Sequence, residues 1–310
     1  MRIALTLAVV LASCLVAVFA GPSFEGAQGD FVLWQLRVPR VLAGILVGNT
    51  LGLVGAAFQA LFQNDLATPS TVGTTAGATL GALVALVFGG MVGTSILPLA
   101  TLFAFLGAAL ASLAVALVAV RGYARMGDVL LAGIAVTLAS SALSQGVQSV
   151  ADMRALFAAT QWALGQLPQL GYGGIRFLAP IVVASTLLVL SQVRPLQVLS
   201  LGEELAHAQG VHVRRVRLIV LLGGALGVAG SVAWCGPIAF VGLIVPHIVR
   251  LTTGPELRTL LPLSGVVGAG FLVACDTLAR VIWSERELPV GVLTATLGAP
   301  ALFMLVLRRR

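Results

Sequence analysis

The sequence contains no lysine: its 18 basic residues are all arginine. A phosphate loop of the Gly-Lys-Ser/Thr kind is thereby excluded, because its lysine is the group that reaches the β- and γ-phosphates. The chain hydrolyses no nucleotide by that route. Charge of either sign is scarce. Only 9% of residues are charged, against about 25% in soluble domains, so polar groups cannot cover the surface and the solvent has to be largely lipid. H-E-x-x-H and G-x-S-x-G motifs are also missing, and His207 and His212 stand five apart, which removes a zincin site and a nucleophile elbow. The three cysteines, Cys14, Cys235 and Cys275, are far apart and lie in or beside apolar stretches. They read as small hydrophobic residues, with neither a disulfide framework nor metal-ligand spacing.

What the chain does have is long uncharged runs. Hydrophobic segments at 3–20, 40–63, 72–90, 96–120, 129–150, 177–194, 218–234, 238–250, 261–283 and 290–307 are separated by Gly, Pro or charge clusters. Most approach the roughly 17–25 residues of a bilayer-spanning helix, and backbone in hydrocarbon has to bond within its own segment. A transmembrane barrel would need segments of about ten residues with alternating polarity, and none occurs. The expectation is an all-α polytopic membrane protein with about ten transmembrane helices. The eighth segment is short, preceded by Pro237 and interrupted by Pro246. Two breaks are long, 21–39 and 151–176, and the second leaves room for a short helix dipping back. The N-terminal run followed by "AVFAGPS" resembles a secretory signal ending at Ala20; its near-bilayer length favours an uncleaved first span. With the N-terminus inside, Arg2, Arg121, Arg125, Arg194, Arg214, Arg215, Arg217, Arg250, Arg258, Arg308, Arg309 and Arg310 are cytoplasmic, whereas Arg37, Arg40, Arg154, Arg176, Arg280 and Arg286 are outside or near the outer face. Twelve against six favours this orientation, both termini cytoplasmic.

Four features carry more specific information. "GNTLGLVG" (48–55) and "GGALGVAG" (223–230) share G-x-x-L-G-x-x-G; this is either an inverted repeat, common in transporters, or close helix packing through small residues, and packing is the better reading. Thr137, Ser141, Ser144, Gln145 and Gln148 recur at helical spacing on the fifth segment, as interhelical glue or as one wall of a water-filled path, with the path favoured. Asp276 precedes Arg280 by four residues, so the two share a helix face and can neutralise each other; with His247, which follows Pro246 close to Arg250, it is a candidate intramembrane functional group, and a structural role is the better reading for both. Finally, "LGEELAHAQGVHVRRVR" (201–217) gathers five charged residues in seventeen. Between Gly202 and Gly210 it reads as a short helix projecting on the cytoplasmic side, suited to insertion in a groove of a soluble partner. A chain without a phosphate loop that needs an energy source points to a separate ATPase as that partner.

These residues together resemble the permeases of type II ATP-binding cassette importers for iron-siderophore complexes, haem and cobalamin, the FecCD or BtuC-like family. "RVPRVLAGILVGNTLGLVGAAFQALFQNDLATPSTVG" (37–73) is similar to the family's R-x-P-R, G-x-x-x-Q and N-x-L-A-x-P block. "GEELAHAQGV" resembles its coupling segment, and "GPIAFVGLIVPHIVR", "LLP", "DTLAR" and "ELPVGVLTATLGAP" follow in order. The resemblance implies a single transmembrane permease domain over 1–310, of BtuC-like fold, with a cytoplasmic coupling segment at about 195–217. It implies dimerisation with a second permease subunit as a homodimer, the path lying along the dimer interface and lined by the fifth span. Two cytoplasmic ABC ATPase subunits would dock on the coupling residues, carried onto Gly202, Glu203, Glu204, Ala206 and Gly210. A periplasmic substrate-binding protein would meet Arg37, Arg40 and Arg280. ATP and Mg would be used by the ATPase; this chain would hold no cofactor or metal, no catalytic residue and no nucleic acid, and would sit among lipid in the bacterial inner membrane. The cargo would be a siderophore first, as the broadest class, with haem and cobalamin also open. Three departures stand out: Gln209 where Leu is usual, Asp65 where Pro is frequent, and Gln166 where Ser is common. An ion-coupled secondary transporter is the alternative.

Overall fold

The computed structural model describes residues 2–20, 27–89, 96–119, 126–169, 171–282 and 287–307. Each of the ten hydrophobic segments is a helix. They are α1 (Arg2–Phe19), α3 (Val38–Leu61), α4 (Thr74–Phe88), α5 (Ile96–Ala119), α6 (Met126–Ser149), α8 (Gly171–Ser191), α11 (Val213–Cys235), α12 (Val241–Thr253), α13 (Leu257–Val281) and α14 (Val290–Leu307). Six helical stretches are long and apolar enough to cross a membrane, and four shorter apolar ones match the first, third, eighth and tenth segments. No strand occurs among the described residues. Short helices fill the connections: α2 (Ala27–Phe31), α7 (Met153–Ala163), α9 (Val193–Leu199) and α10 (Glu203–Ala208). Helix α7 is the short element expected in the 151–176 break. Its N-terminus is capped by Asp152, whose carboxylate accepts the Ala155 N–H at 2.8 Å.

The described part of the 21–39 break, from Ala27 on, does not interrupt the helix that follows. From Ala27 the chain is helical, passes through one π-helical stretch at Val32–Arg37, and enters α3 without interruption. Pro39 is why the sequence suggests a break. It reads as a breaker, yet helix continues on both sides of it, and the proline sits directly after the π-helical stretch Val32–Arg37, a local irregularity of the kind that accompanies a proline inside a helix. Arg176 likewise lies inside α8 rather than before it. Of the arginines used to orient the chain, Arg121, Arg125, Arg286, Arg308, Arg309 and Arg310 lie outside the described residues, as do the side chain of Arg2 and Gly21 at the signal-like junction.

Helices α3, α11 and α13 form the interior, and their packing explains the glycine motifs. A methyl group at Gly48 would lie 2.3 Å from Gly268 O, one at Gly52 2.1 Å from Ser264 O, and one at Gly55 2.0 Å from Gly242 O. The backbones of α3, α13 and α12 are thus in contact, with no room for a side chain. Gly223, Gly227 and Gly230 instead make room for side chains, those of Leu188, Ser185 and Ile181 of α8. Both copies of G-x-x-L-G-x-x-G are contact surfaces between helices, the arrangement by which helices associate where lipid supplies no hydrophobic drive.

Antiparallel packing of α3 on α13 gives the bundle two chemically distinct ends. One end gathers Arg40, Asp276, Arg280 and Glu287. The opposite end gathers Gln59, Asp65 and Arg250, together with α9 and α10.

Candidate functional site

At the α10 end, the short helix predicted between two glycines is present. Gly202 precedes it with φ 136° and Gly210 follows with φ 74°, backbone that strongly favours glycine. Glu203 opens the first turn, where a carboxylate is favoured by the helix dipole, and it bonds Arg217 of α11 at 2.6 Å. Arg217 itself is buried. Glu204, Leu205, His207 and Gln209 face outward, whereas Ala206 is fully buried. Its carbonyl accepts the Val211 N–H at 2.9 Å. Of the five coupling candidates, then, Glu204 presents its side chain outward, Glu203 orients the helix, Ala206 anchors it, and Gly202 and Gly210 shape its ends.

Asp65, a departure from the family pattern, is paired with Arg250. Arg250 also donates to Gln59 Oε1 at 3.2 Å, and the Gln59 amide donates to the Gly242 and Leu243 carbonyls. This cluster ties α3, the following turn and α12 together. Gln166, another departure, is exposed, and its backbone N–H reaches Cys235 O at 2.8 Å.

At the other end, Arg40 and Asp276 form the centre of a buried ion cluster. The Arg40 side chain is 5% exposed and that of Asp276 3%. Arg40 Nε lies 3.1 Å from both carboxylate oxygens, and Nη2 is 2.9 Å from Oδ1. Arg40 Nη1 reaches half-exposed Glu287 at 2.7 Å, and Gln169 donates to the same carboxylate. The Asp276–Arg280 pair inferred from spacing exists at 3.2 Å, but Asp276 has its bidentate partner on α3. Arg280 also donates to Ala17 O at 3.1 Å, and Arg37 to Phe19 O at 3.4 Å. Both carbonyls lie in the last turn of α1, where no intrahelical donor remains, so the two arginines close that helix end. Among the three candidate docking residues, Arg40 and Arg280 are thus engaged within the chain and Arg37 is half-buried.

The polar residues of α6 divide between two environments. Ser144 and its neighbour Ser140 are buried, and Ser144 donates to Ser140 O at 2.8 Å. Thr137 is half-buried and donates to Gly133 O. Ser141, Gln145 and Gln148 are exposed, and among the described residues neither glutamine has a hydrogen-bond partner elsewhere in the chain. They do not glue α6 to its own neighbours. Ile134, Leu138, Ser141, Gln145 and Gln148 follow one exposed line along the helix, apolar at one end and amide-bearing at the other. Cysteines placed at 141, 145 and 148 should react with aqueous maleimide in membranes, while cysteines at 140 and 144 stay protected; protection at all five positions would remove the aqueous face.

A cavity of roughly 280 Å³, lined by Leu51, Thr68, Ser70, Val228, Ile238 and Phe240 among others, lies between α3, α11 and α12. It escaped the sequence because its walls come from two distant regions, 51–75 and 228–243. Among the described residues, no group of three or more His, Cys, Asp or Glu side chains is placed to hold a metal ion.

The profile of the FecCD transport family matches residues 2–308. The cobalamin import system permease protein BtuC of Halobacterium salinarum is 38% identical over 96% of this chain and 79% of its own length. The hemin transport system permease protein HmuU of Yersinia pestis is 36% identical over 90% of this chain and 84% of its own length. Among solved structures, the inward-facing form of a transporter assigned to the metal-chelate ABC type superposes with a TM-score of 0.89 at 28% identity, covering 98% of this chain and 97% of the other.

Proposed function

Since the chain belongs to the FecCD transport family, we propose that this multi-pass membrane protein is the permease subunit of an importer driven by a separate ATPase. Its cargo is a metal chelate of the cobalamin or haem kind, ahead of a siderophore. The cargo reading is supported by near-full-length similarity to permeases named for cobalamin and hemin. The observation that carries the motor reading is α10. This six-residue helix is fixed to the membrane body through Glu203 and Ala206 while Glu204, Leu205 and His207 point away from it. An exposed helical element of this kind fits a groove in a soluble partner. By the arginine count the α10 end is cytoplasmic, so two ATPase subunits dock there, with ATP and Mg bound by them. The permease itself contributes no catalytic residue.

The Arg40 end then faces a secreted binding protein. Arg37 and Glu287 are the groups such a protein meets first, with Arg40 and Arg280 behind them. Charges of this sort set orientation and encounter rate more than affinity. The exposed line on α6, with two amides that have no partner among the described residues, faces a second copy of the subunit across the transport path, so the working unit is a homodimer in the bacterial inner membrane. An ion-coupled transporter is disfavoured by Asp276. A proton relay needs a carboxylate that can release its charge in mid-membrane, and this one is held between two guanidinium groups near a helix end.

The test is reconstitution. Proteoliposomes holding the permease, its ATPase and its binding protein should accumulate labelled cobalamin or haem only when ATP is supplied. Accumulation by the permease alone, without nucleotide, would overturn the reading.

A further inference from the structure

Only two residues other than glycine hold a left-handed backbone among the described residues, Gln63 with φ 49° and Phe240 with φ 68°. Gln63 follows the end of α3. Its N–H bonds Ala60 O at 3.3 Å, and the Asn64 N–H bonds Gln59 O at 3.1 Å. This bond pair is a Schellman cap, in which the left-handed position is usually glycine because any Cβ there is strained. If the cap alone mattered, glycine would be the better residue. The glutamine side chain has another task. Its Nε2 donates to Leu199 O at 3.0 Å, and that same carbonyl accepts the N–H of Gly202. Leu199 ends α9 and Gly202 immediately precedes α10, so Gln63 grips the joint between the two short helices.

A second link runs from α9 to α13. Gln197 Oε1 accepts the Leu257 N–H at 2.6 Å. Leu257 is the first residue of α13, whose leading N–H groups have no partner inside the helix. The α9–α10 unit is therefore fixed to the end of α3 by Gln63 and to the start of α13 by Gln197. At their far ends α3 and α13 are joined by Arg40 and Asp276, and along their length by direct backbone contact at Gly48 and Gly52. They can move as one body.

We propose that Gln63 is a positioning residue for transport: it holds the α9–α10 joint on the end of α3, so that displacement of α10 reaches the α3–α13 pair undiminished, with Gln197 completing the connection at α13. The local backbone strain at Gln63 is retained for that link. This rests on the reading of α10 as the contact for the motor.

The informative variant is Gln63→Gly, which relieves the strained backbone and removes the link together. The complex of permease, ATPase and binding protein should assemble as before and melt at an equal or higher temperature. Cargo transported per ATP hydrolysed should fall about 2- to 30-fold, the range over which single side chains in coupled networks act. Gln63→Glu, nearly the same shape without a donor, should fall likewise, and Gln63→Lys, which restores a donor, should recover most of the ratio. An unchanged ratio in Gln63→Gly, or a lowered melting temperature with a loss that Lys does not rescue, overturns the proposal. Failure of the wild-type permease to bind any ATPase would instead defeat the reading of α10. A measurement on the permease alone remains decisive in that case. Spin labels at Leu66 and Arg194, both exposed, should show a broader distance distribution in Gln63→Gly than in wild type, and an unchanged distribution counts against the link.

Discussion

Arg40→Met should leave little folded protein after detergent extraction, and what survives should melt well below wild type. Asp276 would keep only Arg280, whose guanidinium approaches through Nε alone, and Glu287 would keep only the Gln169 amide. Removing one member of a buried ion set strands the others in a low-dielectric interior, at about 3–5 kcal/mol. Proteins are stable by only about 5–15 kcal/mol, so one substitution removes a large share. Asp276→Leu should be at least as severe, since it leaves Arg40 and Arg280 facing each other. Glu287→Gln should change little, because an ion pair with a half-exposed partner is worth about 0–1 kcal/mol. The control is the triple variant Arg40→Met, Asp276→Leu, Arg280→Met. Replacing a whole buried ion set by apolar groups of similar volume is often neutral, so most of the loss should return. A remainder of about 1 kcal/mol reflects the bond from Arg280 to Ala17 O. Melting curves of the purified variants check the order, and a wild-type melting temperature for Arg40→Met would contradict the account.

That cluster also marks the limit of what could be read in advance. Lipid leaves backbone few choices, so the ten helices follow from hydrophobic runs alone. Spacing along one helix discloses Asp276 and Arg280. The stronger partner, Arg40, is 236 residues away, and no periodicity relates the two. The same limit applies to Asp65 and Arg250, and to Gln63 and Leu199: each bond joins segments brought together only by the packing of α3. Pro39 misled for a different reason. Proline usually ends or kinks a helix from inside, and the sequence does not show that helix continues on both sides of Pro39 by way of a π-helical stretch.

On α6, spacing placed five polar residues on one face but did not separate those turned toward the bundle from those turned away. Ser144 and Gln148 are one turn apart, yet one is buried and the other exposed. The edge of a helix face is set by its neighbours, here α4 and α5, which cover only part of α6. In α10 the reverse happened. Glycines at 202 and 210 fixed the ends of the helix correctly, because left-handed backbone has so few residue types to choose from. The burial of Ala206 was not legible. Alanine suits an exposed helix and a buried contact equally well, and only the position of α10 against the bundle decides between them.

Ala206→Phe should therefore disconnect the motor while sparing the membrane body. Ala206 is 0% exposed, and a phenyl ring has no space beneath α10. Overpacking costs about 1–3 kcal/mol, and the structure yields where it is weakest. Helix α10 has six residues, a single charged tie through Glu203 to Arg217 and a mostly solvated outer face, so it opens before the glycine-packed helices do. With α10 tilted away, Glu204 and Leu205 no longer match the partner surface. ATPase affinity should fall by about 5- to 150-fold, the same 1–3 kcal/mol at about 1.4 kcal/mol per tenfold. The melting temperature of the isolated permease should stay within a few degrees of wild type. Co-purification of the ATPase at a series of concentrations gives the affinity, and thermal melting of the permease alone gives the control. Ala206→Ser, which adds a single oxygen atom, should lie between wild type and Ala206→Phe. Undiminished co-purification with Ala206→Phe would mean that the partner does not contact the protein through α10.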